Sequence, residues 1–305
     1  MMSSLTLAAD PVQHVINHPF IINEHGYWLW STAQTNMVIV AVIMVIGGLF
    51  VAKSVSTGGE GEGHGRWVTN NRLAHMIEVI CDYLRVNTVE PLLGARTNKM
   101  MPFLWTVFFF ILINNLMGLI PILDLQNIIA GELNPEMLAE HKAFIGGTAT
   151  QSIWVTGALS LIAAIVINLA GIKELGLGGY IKHLTAEAPI FVWPIIIPIE
   201  IAGTFIKPIA LAIRLFANMT AGHILVAVLL GFASTGFFSS DNPLIGFPVG
   251  VVSSLGIIAI YFLELFVAFL QAFVFMFLTT VFISLLAHHG DHDHDHAHEG
   301  EAAHA

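Results

Sequence analysis

Apolar residues along this chain gather into long blocks, at about 32–52, 101–123, 148–172, 188–232 and 244–287. Met37–Ala52 contains no charged side chain, and with its polar flank Ser31–Asn36 it reaches the roughly 20 residues that cross a bilayer as a helix. Met101–Leu123 is equally free of charge. The first three blocks have the length of single spans. The last two run to 45 and 44 residues, far longer than one upright crossing. At ~1.5 Å of rise per residue each makes a helix of roughly 65 Å, against a hydrocarbon core of ~30 Å. Pro194, Pro198 and Pro208 can bend the earlier block, but no polar turn divides either one. The pattern therefore predicts an all-α integral membrane protein of about five transmembrane helices. The last two form a long, tilted hairpin about the turn signal Ser239–Pro243.

Between the first two blocks the period changes. Within Thr69–Leu93 the apolar residues Leu73, Met76, Ile77, Ile80 and Leu84 recur at helical spacing, opposite Arg72, Glu78, Asp82 and Arg85. This predicts an amphipathic helix at the membrane surface, about 69–93. A Gly-rich linker, Thr57–Gly65, precedes it. The organisation expected is an outer N-terminal segment, 1–31, a membrane domain, 32–287, and a His/Asp-rich disordered tail, 288–305. A loop carrying Asp124, Glu132, Glu136 and Glu140 lies between the second and third spans.

Composition agrees with this picture. The 305 residues are 56% hydrophobic and 10% charged, with a mean hydropathy of +0.78; soluble domains carry about a quarter charged residues. Met1–Asp10 has neither a basic n-region nor an adequate apolar h-region, so neither a cleaved signal nor an Arg-rich organellar leader is expected. The single cysteine, Cys81, excludes a disulfide framework and a cysteine metal site. Half of the net charge of −10 comes from the tail after Ala287, and the total says nothing of nucleic acid.

The basic residues give an orientation. Of the 11 lysines and arginines, eight (Lys53, Arg66, Arg72, Arg85, Arg96, Lys99, Lys173 and Lys182) fall in the first and third loops. The positive-inside rule then places the N-terminus outside and the C-terminus in the cytoplasm. Lys207 and Arg214 fall inside an apolar block instead.

Those two, with Glu200 and Glu264, are ionisable groups at bilayer depth. An arginine there costs at least ~2.5 kcal/mol on insertion scales and cannot shed its proton. Lys207 can snorkel; Arg214 calls for a function, or for an ion pair with Glu200 or Glu264. Glu200, Lys207 and Arg214 are spaced by seven and share one helical stripe, with Asn218 one turn further. Glu264 and Gln271 repeat that spacing on the last block. Folding the two blocks antiparallel about Asn242–Pro243 sets Arg214 level with Gln271 and His223 level with Glu264. With the turn outside, titratable groups lie towards the outer surface, a permanent cation in the middle and Glu200 towards the inner side. A histidine beside a carboxylate suits proton exchange near neutral pH; a polar pair that holds the hairpin together is the plainer alternative.

These residues carry a resemblance. Lys207-Pro-Ile-Ala-Leu-Ala-Ile-Arg-Leu-Phe-Ala-Asn-Met-Thr-Ala-Gly-His223 resembles the signature around the essential arginine of the subunit a family of F-type ATP synthases, the membrane stators that face the rotating c-subunit ring. Glu264–Met276 resembles the signature of that family's final helix, Asn115-Leu-Met-Gly-Leu-Ile-Pro121 its second-span motif, and Gly171–Tyr180 the short stretch before the hairpin. The resemblance covers roughly residues 11–287. It implies that Arg214 separates two aqueous half-channels and meets the c-ring carboxylate, with Asn218 and Gln271 flanking it. It further implies that His223 and Glu264 line the outer half-channel and Glu200 the inner one. Asn115 is carried over as channel-lining, although Gly118 stands where some bacterial members have an acid. The implied partners are the c-ring, the b-subunit peripheral stalk and the rest of the ATP synthase, with no cofactor and no catalytic residue of its own. The expected location is a bacterial inner membrane, or alternatively the inner membrane of an organelle.

The tail holds seven of the 15 histidines, interleaved with Asp291, Asp293 and Asp295. Such alternation binds divalent metals loosely, and a solvated tail without a metal is the reading adopted. No phosphate-binding loop, nucleophile elbow or zinc-protease helix motif occurs. A self-contained secondary transporter of ions or metals is the competing function. It predicts inverted repeats and interrupted helices around a midplane site, neither of which the sequence displays.

Overall fold

The computed structural model describes residues 19–22, 28–54, 71–120, 149–184, 191–239 and 242–302. The Gly-rich linker Thr57–Gly65, the acidic loop Asp124–Gly147 and Glu187 lie outside them, as does the side chain of Glu200. Two short strands, β1 (Pro19–Ile22) and β2 (Trp28–Ser31), pair antiparallel in a stretch the sequence leaves unassigned. Helices α1 (Thr32–Ser54), α2 (Arg72–Leu84), α3 (Glu90–Leu93), α4 (Thr97–Leu119), α5 (Ile153–Leu184), α6 (Trp193–Ser234) and α7 (Pro243–Ala302) follow. Among the described residues five helical stretches are long and apolar enough to cross a membrane, as expected.

Local chemistry sets the ends and breaks of these helices. The Ser31 N–H donates to Gln34 Oε1 at 2.8 Å, half of a capping box where α1 leaves β2. Asn71 caps α2, its Oδ1 accepting from the Leu73 N–H at 3.0 Å. The helix expected to run unbroken to Leu93 passes instead through a π turn, Arg85–Val89, before α3. A 3-10 turn, Gly94–Arg96, then leads into α4. In α5 the backbone swings to φ 68° at Gly176, a conformation open to glycine at little cost. The backbone of α7 stays helical to Ala302, so the His/Asp stretch continues the helix where the sequence predicts a disordered tail. Extension of an existing helix avoids the costly nucleation step, which a composition argument overlooks.

The chain divides into two compact units, each assembled from three separate segments. The first comprises residues 1–41, 110–157 and 212–272. Its core is built from Val40, Ile111, Leu112, Ala149, Leu215, Met219, Ala268 and Ala272. The second comprises residues 42–109, 158–211 and 273–305, with Ala74, Leu84, Val89, Leu104, Ala163, Leu211, Phe275 and Met276 inside.

In the second unit α2 presents three faces. Ala74 and Leu84 are buried, Glu78, Asp82 and Arg85 form a polar strip, and Leu73, Met76, Val79 and Tyr83 stand exposed. An apolar stripe left outside the protein core beside a charged strip is what a helix at a lipid–water boundary requires. The Trp105 indole N–H donates to the Cys81 carbonyl at 3.4 Å, and Arg85 Nη2 donates to Asn98 Oδ1 at 2.8 Å. Ser284 Oγ donates to the Leu92 carbonyl at 2.8 Å. These bonds tie α2 and α3 to α4 and α7.

Candidate functional site

Of the groups singled out in the sequence, Glu200 and Lys207 fall in the second unit, whereas Asn115, Arg214, Asn218, His223, Glu264 and Gln271 fall in the first, on α4, α6 and α7. There α6 and α7 run antiparallel in close contact. Near the turn, a Cβ placed on Gly236 would lie 2.6 Å from the Gly250 N and 2.7 Å from the Gly246 O. Backbone thus meets backbone at Gly236, which sits on the π turn Thr235–Ser239 that continues α6, while the Phe237 ring lies against Gly250, a close approach that small residues permit in membrane helices. Further along, Gly256 faces Leu229 at 3.3 Å from its would-be Cβ. Beyond that Gly222 faces Glu264, and Asn218 faces Gln271.

The level contacts are near those the antiparallel arithmetic predicts, but the partners differ by one position or one turn. Gln271, 3% exposed, accepts on Oε1 from Asn218 Nδ2 at 3.2 Å, where the sequence sets it level with Arg214. Gln271 Nε2 is buried and has no protein partner among the described residues. The Glu264 carboxylate lies against Gly222 rather than the adjacent His223. A Cβ on Gly222 would collide with Glu264 Oε1 and come within 2.9 Å of Cδ. Glu264 is 7% exposed, and neither of its oxygens has a protein partner among the described residues. Its oxygens are left for water, or for a residue outside the described ones, to meet.

His223 is half-buried and, among the described residues, makes no ion pair with Glu264. The structure thus brings Glu264 to the His223 level without joining the two side chains. Arg214 is exposed on α6 beside exposed Ala210, Ile213 and Ala217, and pairs with no carboxylate among the described residues. Glu200 lies on the same helix.

On α4, Asn115 is fully buried. Its Oδ1 accepts from Thr150 Oγ1 at 3.1 Å, and its Nδ2 donates to the Ala268 carbonyl at 3.4 Å. Asn114, next to it, donates to the Phe110 carbonyl at 2.8 Å and leaves Oδ1 without a protein partner among the described residues. Sequence reasoning passed over two residues here. Gly222 carried a signal, since a lone glycine in a helical pattern marks a close approach. Thr150, in the run Gly147-Thr-Ala-Thr-Gln151, carried none. Among the described residues no cluster of His, Cys, Asp and Glu has the makings of a metal site.

Fold and side-chain placement together define a multi-pass helical membrane protein that holds ionisable and amide groups within its apolar helices. Residues 35–284 match the family described as the ATP synthase A chain, and the chain belongs to that family. It is 40% identical over 232 residues to ATP synthase subunit a 2 of Prosthecochloris aestuarii, covering 76% of this chain and 60% of the relative. It is 38% identical over 220 residues to ATP synthase subunit a of Chloroherpeton thalassium, covering 72% and 57%. With subunit a of Myxococcus xanthus it shares 36% over 276 residues, 89% of this chain and 76% of that one. The chain thus spans about three fifths of the length of the first two relatives.

Proposed function

We propose that this protein is the proton-translocating stator subunit of the membrane sector of an F-type ATP synthase. In this reading it offers two half-channels to a ring of c subunits and holds Arg214 between them. The observation that carries the proposal is the position of Arg214. It is a cation that keeps its proton, on an exposed, small-residue and apolar face of a long helix, with no carboxylate partner among the described residues. In lipid that arrangement is costly. A partner whose face brings a carboxylate to the guanidinium removes the cost. When a rotor carboxylate arrives, the cation favours its ionised form and the proton leaves. Because the guanidinium itself gives up no proton, it also blocks direct transfer from one half-channel to the other.

Glu264 and His223 serve the outer half-channel and Glu200 the inner one, while Asn218 and Gln271 fix the polar surface beside Arg214. Asn115 supports these groups from α4. The chain performs no step of ATP chemistry, which falls to the rest of the complex. Its partners are the c-ring and the b-subunit stalk. Its place is a bacterial inner membrane, with the N-terminus outside and the C-terminus in the cytoplasm.

The test is Arg214→Ala in assembled complexes reconstituted into vesicles. ATP-driven acidification is expected to vanish while the complex assembles. Coupled pumping at the normal rate would refute the role.

A further inference from the structure

Three elements of the first unit meet at the backbone of α7. Thr150 sits on a 3-10 turn, Ala149–Gln151, at the head of α5. Its hydroxyl donates to Asn115 Oδ1 at 3.1 Å, and the Asn115 amide donates to the Ala268 carbonyl at 3.4 Å. Thr150, Asn115 and Ala268 are all 0% exposed. Ala268 stands one helical turn after Glu264 and three residues before Gln271, so the bond grips α7 between the two groups that face α6. Ala268 and Ala272 are small and fully buried, which lets α4 approach closely enough to make it.

Neither hydroxyl nor amide titrates, so the pair cannot relay protons by acid–base exchange. Each end of the Asn115 amide is engaged, which ties its orientation to both neighbours. In a buried apolar setting such a bond is costly to break, because the group left behind is unpaired. The ionisable side chains of this unit among the described residues are Arg214, His223, Tyr261 and Glu264. Of these, the carboxyl of Glu264 is the one that rides on the gripped turn, and it already lies against the Gly222 backbone of α6. A small rotation of α7 about its axis would move this carboxyl and the Gln271 amide together.

We infer that Thr150 and Asn115 are positioning residues that hold α7 at Ala268, and through it set Glu264 and Gln271 against α6. Asn115 then works as a clamp rather than as part of the channel lining. The inference rests on the proposed proton path, and the experiment separates the two. Thr150→Val keeps the side-chain shape and removes the donor; Thr150→Ser keeps the donor.

Complexes carrying each change are reconstituted, quantified by native gel, and assayed per complex for ATP-driven pumping and for passive proton flux against pH. Thr150→Val is expected to lower flux by about three- to tenfold, as the loss of one buried hydrogen bond implies. It should also displace the pH profile, and Thr150→Ser should restore both. If Thr150→Val fails to assemble, Thr150→Ala is judged by the same criteria. Wild-type flux and profile in the hydroxyl-free variant, or an equal loss in Thr150→Ser, overturns the clamp. Arg214→Ala is run alongside. If it pumps, the proton-path reading fails and takes the clamp with it. If it is inactive while Thr150→Val behaves as wild type, the clamp alone is wrong.

Discussion

Both compact units bury hydroxyls, but only the first buries amides and a carboxyl as well among the described residues. Those buried in the second unit are hydroxyls. Thr97 donates to the Gly94 carbonyl, Thr279 to Phe275, Thr280 to Met276, and Ser284 to Leu92. Each is satisfied by a carbonyl that backbone geometry supplies, and none ionises. The first unit buries the amides Asn36, Asn114, Asn115, Gln151 and Gln271 and the carboxyl of Glu264. Asn114 Oδ1, Gln271 Nε2 and both oxygens of Glu264, which meet no protein partner among the described residues, belong to it. A hydroxyl bonded to a backbone carbonyl beside it is a packing solution. A buried carboxyl at lipid depth carries a cost that packing does not repay, and the proposed proton path gives it a reason to be there.

That contrast can be tested by substitution. The largest effect is expected for Glu264→Gln, which keeps the shape and removes the titration. Proton flux through assembled complexes should fall by about a hundredfold or more, in the range of a lost acid–base group; flux near wild type in a vesicle assay would dissolve the distinction. Gly222→Ala comes next. The obstacle its new Cβ meets is the end of a flexible side chain, which can move aside. Thermal stability in detergent should therefore change little while flux drops several-fold. A large stability loss with unchanged flux per complex would reverse the assignment. Ser284→Ala in the second unit should be smallest, costing about 1 kcal/mol of stability, read by thermal unfolding, with pumping per complex intact.

Much of this arrangement was legible in the chain. A bilayer imposes a length on every apolar helix, so the five long helices follow from the blocks alone. The spacing of Arg214, Asn218, Glu264 and Gln271, with the turn signal at Asn242–Pro243, located the facing levels to within a turn. What escaped is of another kind. Whether Glu264 meets His223 or Gly222 depends on a rotation of the helices that residue counting does not resolve, since neighbours differ by ~100° around the axis. The Asn115–Thr150 bond joins a helix to a turn 35 residues on through a threonine that no pattern distinguishes. The strand pair and the π turn at Arg85–Val89 arise in short segments where propensity is weak and tertiary context decides.

The glycine crossing at Gly236, Gly246 and Gly250 serves as the zero mark of a ruler. Because backbone rests on backbone there, every deeper pair is counted out from that mark along two rigid arms. Adding one residue to either arm between the crossing and the Asn218–Gln271 pair would advance one scale by ~1.5 Å and turn it by ~100°. Each graduation would then face the wrong neighbour. An insertion on the far side of the mark leaves the scale as it was.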